Sequence, residues 1–397
     1  MTLYASGQDE TAPHGFQGII SRFTAPDWTR EDVITGLPTS APVLNHLTNG
    51  LAFDSSGRLF IAQGSASDAG LADPSAATHY WHETPLSAAI LMADVHAAGF
   101  NGHITYSGGP PLDDNVNQTG GDVHTFAVGT RNPYDLVFHS NGHLYAADNG
   151  ALGQNTSLTC DTAGGLTSTA DELNLIEQGN YYGAPNRNRG RTDTRQCTYR
   201  SPLDGDGPGY TGPIAVLPNH CSCDGIAEYM SDAFDGTLRH GLVIAQFIRG
   251  GVVLEKLTDD GRSVGAELTL GSDFDSPLDV AVTPGGAIYI AEYTGNSIAY
   301  LLPDEGTPEP SDTPPPGSTP TATPTRVPTP FDRAGDSNCD GSINSIDVAL
   351  VLQLTAGLID SLPCDGNADA SGDGDVNAVD AALILQYNAG LISHLPP

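Results

Sequence analysis

Lysine is nearly missing from this chain. Lys256 is the only one in 397 residues, and Lys and Arg together number 15 against 48 Asp and Glu, a formal charge of −33 at pH 7. That balance repels phosphate backbones and anionic lipid, which makes nucleic acid and membrane surfaces poor partners. Long hydrophobic runs are also lacking. None approaches the ~18 residues of a spanning helix, so no membrane span is expected. The opening, Met1-Thr-Leu-Tyr-Ala5, has neither the basic nor the apolar region of a secretory signal peptide. No closely spaced carboxylate pair on a recognisable scaffold speaks for glycoside hydrolysis.

What is present points outside the cell. Six cysteines, Cys160, Cys197, Cys221, Cys223, Cys339 and Cys364, suit an oxidising compartment. Residues 303–333 hold ten prolines among Thr, Ser, Asp and Glu. Such a segment builds no core and is an extended spacer, ~90 Å long if fully stretched at ~3.1 Å per residue. It separates 1–302 from 334–397. The protein is expected to be extracellular or at the cell surface, and its N-terminus is expected to be missing or truncated. Cys339 and Cys364 are expected to bridge. Cys160, Cys197, Cys221 and Cys223 are expected to form two disulfides with three pairings open, the 221–223 bridge being the strained one. The alternative for His220-Cys221-Ser222-Cys223 is a soft-metal site.

Three segments align without gaps: Leu51 to Ala62, Leu136 to Ala147 and Val280 to Ala291. Each alternates apolar and polar residues on both sides of a Ser/Asn/Gly turn, the pattern of a half-buried hairpin. Their offsets of 85 and 144 residues lie near multiples of ~45, the period of a four-stranded propeller blade. Weaker copies at Ala89–Asp94 and Gly241–Ile248 fall between. The first domain is therefore expected to be an all-β propeller of six blades, or five if its N-terminus is incomplete.

The tail carries one pattern twice, at Asp336–Asp347 and Asp369–Asp380. Side-chain oxygens fall at loop positions 1, 3, 5, 9 and 12, on Asp336, Asn338, Asp340, Asn344 and Asp347, and on Asp369, Ser371, Asp373, Asn377 and Asp380; Ser342 and Asp375 hold position 7, which offers its carbonyl. Glycine stands at position 6. This is the shell a hard cation demands, and two calcium ions are expected. An apolar helix pattern follows each loop, with Gly357 and Gly390 as stops. Residues 334–397 contain nine Asp and no Lys or Arg, so folding should require the metal. The duplicated loop-helix units, with aspartate at position 12, resemble type I dockerins, small α-helical EF-hand-like modules. The resemblance implies a cohesin-like protein partner, facing Ser345-Ile346 and Ala378-Val379.

Two further segments narrow the propeller. Gly129-Thr-Arg131-Asn132-Pro133, closed by Asp148-Asn149-Gly150, is followed by Asp171-Glu172-Leu-Asn174 and Gly179-Asn180-Tyr-Tyr-Gly183-Ala-Pro185. Together they resemble the soluble glucose/sorbosone dehydrogenase family over about 40–302. That likeness implies pyrroloquinoline quinone and a calcium ion at the propeller axis, and oxidation of a sugar hydroxyl. His46 would be the base, with a pKa near operating pH; Arg131, Asn132 and Arg249 would contact the cofactor, and the Gly150 and Ala151 carbonyls the calcium. Here the sequence departs from the family. Its lysine falls on Ile248 and its arginine pair on Ser276-Pro277-Leu278, so a tricarboxylate finds few cations. Two readings stay open for Arg187, Arg189, Arg191, Arg195 and Arg200: an exposed loop relieving the acidic surface, or cations that replace the missing ones. Two functions follow: a secreted, scaffold-borne sugar dehydrogenase, or an inactive propeller that binds glycan or protein within a polysaccharide-degrading assembly.

Overall fold

A computed structural model describes residues 1–12, 15–40, 46–70, 82–108, 116–151, 157–159, 162–164, 168–202 and 209–303, and, further on, 334–338, 343, 345–355, 361–362, 364–372, 374–388, 392 and 394–395. The chain divides into two compact units, Met1–Glu309 and Pro310–Pro397. The linker expected at 303–333 lies outside the described residues beyond its first position.

Five antiparallel sheets make up the first unit. Blade one is β1 (Thr2–Gln8), β2 (Gly18–Thr24) and β3 (Thr29–Leu37). Blade two is β4 (Thr48–Phe53), β5 (Leu59–Gln63), β6 (Ala89–Ala93) and β9 (Val123–Val128), with a side hairpin of β7 (Thr105–Ser107) and β8 (Asn117–Gly120). Blade three is β10 (Pro133–Phe138), β11 (Leu144–Asp148), β14 (Ala170–Ile176) and β15 (Ala215–Asn219), with a hairpin of β12 (Ser157–Thr159) and β13 (Thr162–Gly164). Blade four is β16 (Cys223–Glu228), β17 (Gly241–Gln246), β18 (Gly251–Leu257) and β19 (Val264–Gly271). Blade five is β20 (Pro277–Val282), β21 (Ile288–Glu292) and β22 (Ser297–Leu301). The first strands β1, β4, β10, β16 and β20 are neighbours in that order.

Strand periodicity makes this stack. Side chains alternate between the faces of a strand, and in the second strands of blades two, three and four both faces are covered. Leu59 and Ile61 of β5 join Ile20, Ile34 and Leu37 of blade one, whereas Phe60 and Ala62 join Leu136, Leu144 and Ala146 of blade three. Tyr145 and Leu173 then meet Ile226, Leu242 and Ile244, and Val243, Ala245 and Leu254 meet Val280, Ile288 and Ile290. Each fully buried aliphatic contributes about 1.5–3 kcal/mol. At the three aligned turns, Gly57, Gly142 and Gly286 adopt φ of 84°, 86° and 90°, where a Cβ would be strained.

The lower of the two expected blade numbers holds among the described residues, and the period argument for six fails for a definite reason. The offset of 85 joins adjacent blades, because the β7–β8 hairpin and its loops lengthen blade two. The weaker copies are β6 and β17, later strands of blades two and four rather than blades between.

In the second unit, α2 (Ser345–Thr355), the short α3 (Asp365–Ala368) and α4 (Ala378–Asn388) enclose Val348, Val351, Leu362, Ala368, Ala381 and Ile384. The expected stops Gly357 and Gly390 lie outside the described residues.

Candidate functional site

His46, just before β4, and Arg131-Asn132, just before β10, come together through the turn that follows β5. Ser65 donates its amide to the Arg131 carbonyl at 2.8 Å. Gly64 separates the two side chains: a Cβ there would lie 2.7 Å from His46 Cβ and 3.1 Å from Asn132 Oδ1. His46 is buried, and its Nδ1 is 2.8 Å from Ser65 Oγ. Because the Ser65 hydroxyl donates to Ser67 O at 2.5 Å, Nδ1 carries the proton and Nε2 keeps its lone pair. Burial, reinforced by Arg131, holds the His46 pKa well below its usual range. The expectation of a value near operating pH is thus corrected: this imidazole is neutral but weakly basic.

Arg131 is buried. Asp68 neutralises it: both side chains are 4% exposed, Nε is 3.0 Å from Asp68 Oδ1, and Nη2 pairs with the same oxygen. Nη1 donates to Asn149 O at 3.1 Å. Asp148 fixes the turn from beneath, accepting the amides of Arg131 at 3.0 Å and Asn132 at 2.7 Å. Asn132 Oδ1 accepts from Asn49 Nδ2 at 3.0 Å. Asp68, Ser65 and Asn49 escape a sequence reading, since each comes from another blade and belongs to no motif.

Carboxylates dominate the surroundings. Asp148 and Glu172 are cross-strand partners in β11 and β14, and burial raises Asp148 to about 7 and Glu172 well above its usual range. Asp224 is likewise raised to about 7 by burial, while holding Asn149 Nδ2 at 2.9 Å. Asp171 accepts the amides of Gly150 at 2.9 Å and Cys223 at 3.1 Å, and burial raises it too. The Ala151 carbonyl accepts from Thr169 N at 3.0 Å.

Three carboxylates of a quinone do not fit this environment. Ile248 and Arg249 lie on the turn between β17 and β18, not on a strand, and both are exposed. Ser276 takes a left-handed φ of 56° and brings no charge. Of the arginine-rich stretch, Arg189, in α1 (Arg187–Gly190), holds the carbonyls of Ser87 at 2.7 Å and Ala88 at 2.9 Å, and Arg195 pairs with Asp193. Arg195 acts within its own loop, whereas Arg189 ties that loop to the segment before β6. A hard cation fits better, because Asn149 Oδ1 is buried without a partner beside Asp224 and the Gly150 turn.

Cys221 and Cys223 form the bridge that was expected to be strained. Left-handed φ values of 50° at His220 and 46° at Ser222 bring the two Cα atoms to 5.2 Å. The bridge consumes the thiolates a soft metal needs. Cys197 and Cys364 are also disulfide-bonded; Cys160 and Cys339, with the calls on their pairing, lie outside the described residues.

A cluster of His139, Glu228 and His240 was not foreseen. Asn141 N donates to His139 Nδ1 at 3.0 Å and Arg239 Nε to His240 Nε2 at 3.2 Å. The other ring nitrogens are therefore protonated: His240 Nδ1 donates to Glu228 Oε1 at 2.9 Å, and His139 Nε2 donates to the His240 carbonyl at 3.0 Å while lying 3.3 Å from Glu228 Oε1. The lone pairs a metal requires are turned away, and the cluster is a hydrogen-bonded clamp between blades three and four.

In the second unit Asp336, Asp347 and Asp380 are fully buried. Asp380 accepts the amides of Ser371 and Asn377, both at 2.8 Å, and Asp369 that of Gly374 at 2.8 Å. Position 12 thus closes onto positions 3 and 9, and position 1 onto glycine 6. Asp347 accepts from Asn338 N at 3.2 Å in the first loop. Asp340, Ser342, Asn344 and Asp373 lie outside the described residues. Val379 is 56% exposed, as a partner-facing residue would be.

A β-propeller with a histidine and an Arg-Asn turn at one end, joined to paired cation loops, defines a sugar dehydrogenase-like propeller carrying a docking module. The chain belongs to the glucose / sorbosone dehydrogenase family, whose pattern matches residues 4–300, and residues 334–387 match the dockerin type I domain, which implies calcium. Among solved structures it is similar to the quinone-bound aldose sugar dehydrogenase of Streptomyces coelicolor (19% identity, 74% of this chain and 70% of that one, TM-score 0.46). It is also similar to the soluble aldose sugar dehydrogenase of Escherichia coli in its apo-form (18%, 73% and 74%, TM-score 0.47). A cohesin–dockerin complex from Acetivibrio cellulolyticus matches 16% of this chain and 92% of that one at 33% identity, TM-score 0.16. No curated protein matches. No described helix is long and apolar enough to cross a membrane.

Proposed function

We propose that the chain is an extracellular sugar-binding propeller, built on the dehydrogenase frame and held by its dockerin on a cohesin-bearing scaffold as an accessory of polysaccharide processing. One observation carries this reading. The buried Arg131 is already neutralised by Asp68 and stands among the buried carboxylates Asp148, Asp171, Glu172 and Asp224. An added tricarboxylate would leave buried negative charge unpaired, at a cost of several kcal/mol per ion. Two calcium ions in the dockerin, on Asp336, Asn338, Asp347, Asp369, Ser371, Asp375, Asn377 and Asp380 with their undescribed neighbours, make the anchor.

A second reading has an observation of its own. His46 presents an unprotonated Nε2, held in place through Ser65, which is what a group accepting a hydroxyl proton requires. Calorimetry of the full chain with pyrroloquinoline quinone and calcium, followed by dye reduction with glucose and other aldoses, separates the two. The binding reading expects neither heat nor sugar-dependent reduction, together with hits on a glycan array. Micromolar quinone binding and turnover that disappears in His46→Ala would make the chain a dehydrogenase.

A further inference from the structure

The proposed function leaves the place of the sugar open. At the propeller axis, β1, β4, β10 and β20 enclose a cavity of about 360 Å³ lined by Gln8, Asn49, Gly50, Tyr134, Asp135 and Asp279. Two aspartates at equivalent positions of their blades point into it, each seated on a glycine of a neighbouring blade. A Cβ on Gly50 would lie 2.0 Å from Asp135 Oδ1, and one on Gly225 2.4 Å from Asp279 Oδ1. Backbone amides hold the carboxylates: Leu136 N on Asp135 Oδ1 at 2.8 Å, Ile226 N on Asp135 Oδ2 at 3.2 Å, and Val280 N on Asp279 Oδ1 at 2.8 Å. Asp279 remains exposed to the cavity, and Asn49 ties the cavity to Asn132 at 3.0 Å.

We infer that this axial cavity is the sugar site, with Asp135 and Asp279 accepting hydroxyls, Asn49 and Gln8 supplying amides at the wall, and the Tyr134 ring offering an apolar face. The chemistry suits a neutral polyol. Asp279, exposed to the cavity, matches a hydroxyl donor, since a hydrogen bond to a charged group is the stronger kind, and Asp135 adds a second fixed polar group beside it. An aromatic surface covers the C–H face of the ring. An anionic ligand is repelled by the exposed Asp279 carboxylate. The volume lies at the small end of the ~300–1,000 Å³ typical of ligand pockets, which fits one sugar ring rather than a chain. The glycines are part of the construction, because any larger residue at 50 or 225 would push its aspartate out of place.

The inference rests on the sugar-binding reading, and one titration distinguishes their failures. Full-length, calcium-loaded protein is titrated with glucose, xylose and cellobiose, beside Asp279→Asn, Tyr134→Ala and His46→Ala, with thermal midpoints confirming that each variant folds. We expect a monosaccharide to bind, and Asp279→Asn and Tyr134→Ala each to weaken it about tenfold or more. Binding that survives both variants but is lost in His46→Ala overturns the axial site and leaves the sugar-binding function standing. Absence of binding by all three sugars overturns both. The surface change Arg262→Ala, whose side chain pairs with Glu177 at 2.9 Å, should leave affinity unchanged.

Discussion

Gly64 shows how a single position without a side chain assembles a site from distant parts of the chain. His46 and Asn132 approach it from neighbouring blades, and a methyl group there has no room beside either. Gly64→Ala is expected to destabilise the propeller by about 1–3 kcal/mol, measured by urea unfolding, with the His46 ring displaced. A second residue-scale consequence concerns protons. Asp135, Asp148 and Asp224 are each raised by burial from 3.8 to about 7, so the folded chain holds their protons more tightly than the unfolded chain does. Their contribution to stability is complete below pH 3.8 and is lost as pH rises through about 7. Asp224→Asn keeps an oxygen that accepts from Asn149 Nδ2 and the Ser222 hydroxyl, and removes the charge. It should stabilise the protein by about 2 kcal/mol at pH 8 and change little at pH 5. Equal effects at the two pH values would contradict the buried-charge account.

At the scale of elements, the hairpins β4–β5, β10–β11 and β20–β21 were legible in the sequence because alternation and turn glycines are local signals. The Asp148 and Asp171 segments were visible as motifs, yet what they surround was not. Asp68 reaches Arg131 across 63 residues, and Glu228 reaches Ser140 across 88, separations over which no short pattern extends. The Cys221–Cys223 pairing stayed open in the sequence because its feasibility depends on left-handed backbone at His220 and Ser222, residues that carry no glycine to announce it. The cation loops were readable almost residue by residue, as ligand spacing is itself the device. Their buried aspartates make a sharp demand: Asp336, Asp347 and Asp380 lie beneath the surface in a module without Lys or Arg. Chelation should therefore abolish amide protection in α2 and α4, followed by hydrogen exchange. Asp380→Ala, which removes the acceptor of two loop amides, should have that effect on the second loop even in calcium.

Over the whole molecule, blade number was the least legible quantity, because the insertions within blades two and three have no period of their own. Separate cores, by contrast, follow directly from the sequence: an apolar strand pattern up to residue 302, a proline-rich span, and an apolar helix pattern after 334. The two units respond to different ligands of opposite charge preference. Protons stabilise the propeller by neutralising Asp135, Asp148 and Asp224, whereas calcium stabilises the dockerin by pairing with aspartates that need to be ionised. Two thermal transitions are accordingly expected in a calorimetric scan of the full chain. Raising pH from 5 to 8 in calcium should lower the midpoint of the larger, propeller transition and leave the smaller one in place. Adding a chelator at pH 7 should remove the smaller transition and move the larger by no more than a calcium ion near Asn149 accounts for. A single transition that follows both variables would mean that the units unfold together, and that the anchor and the propeller share their stability.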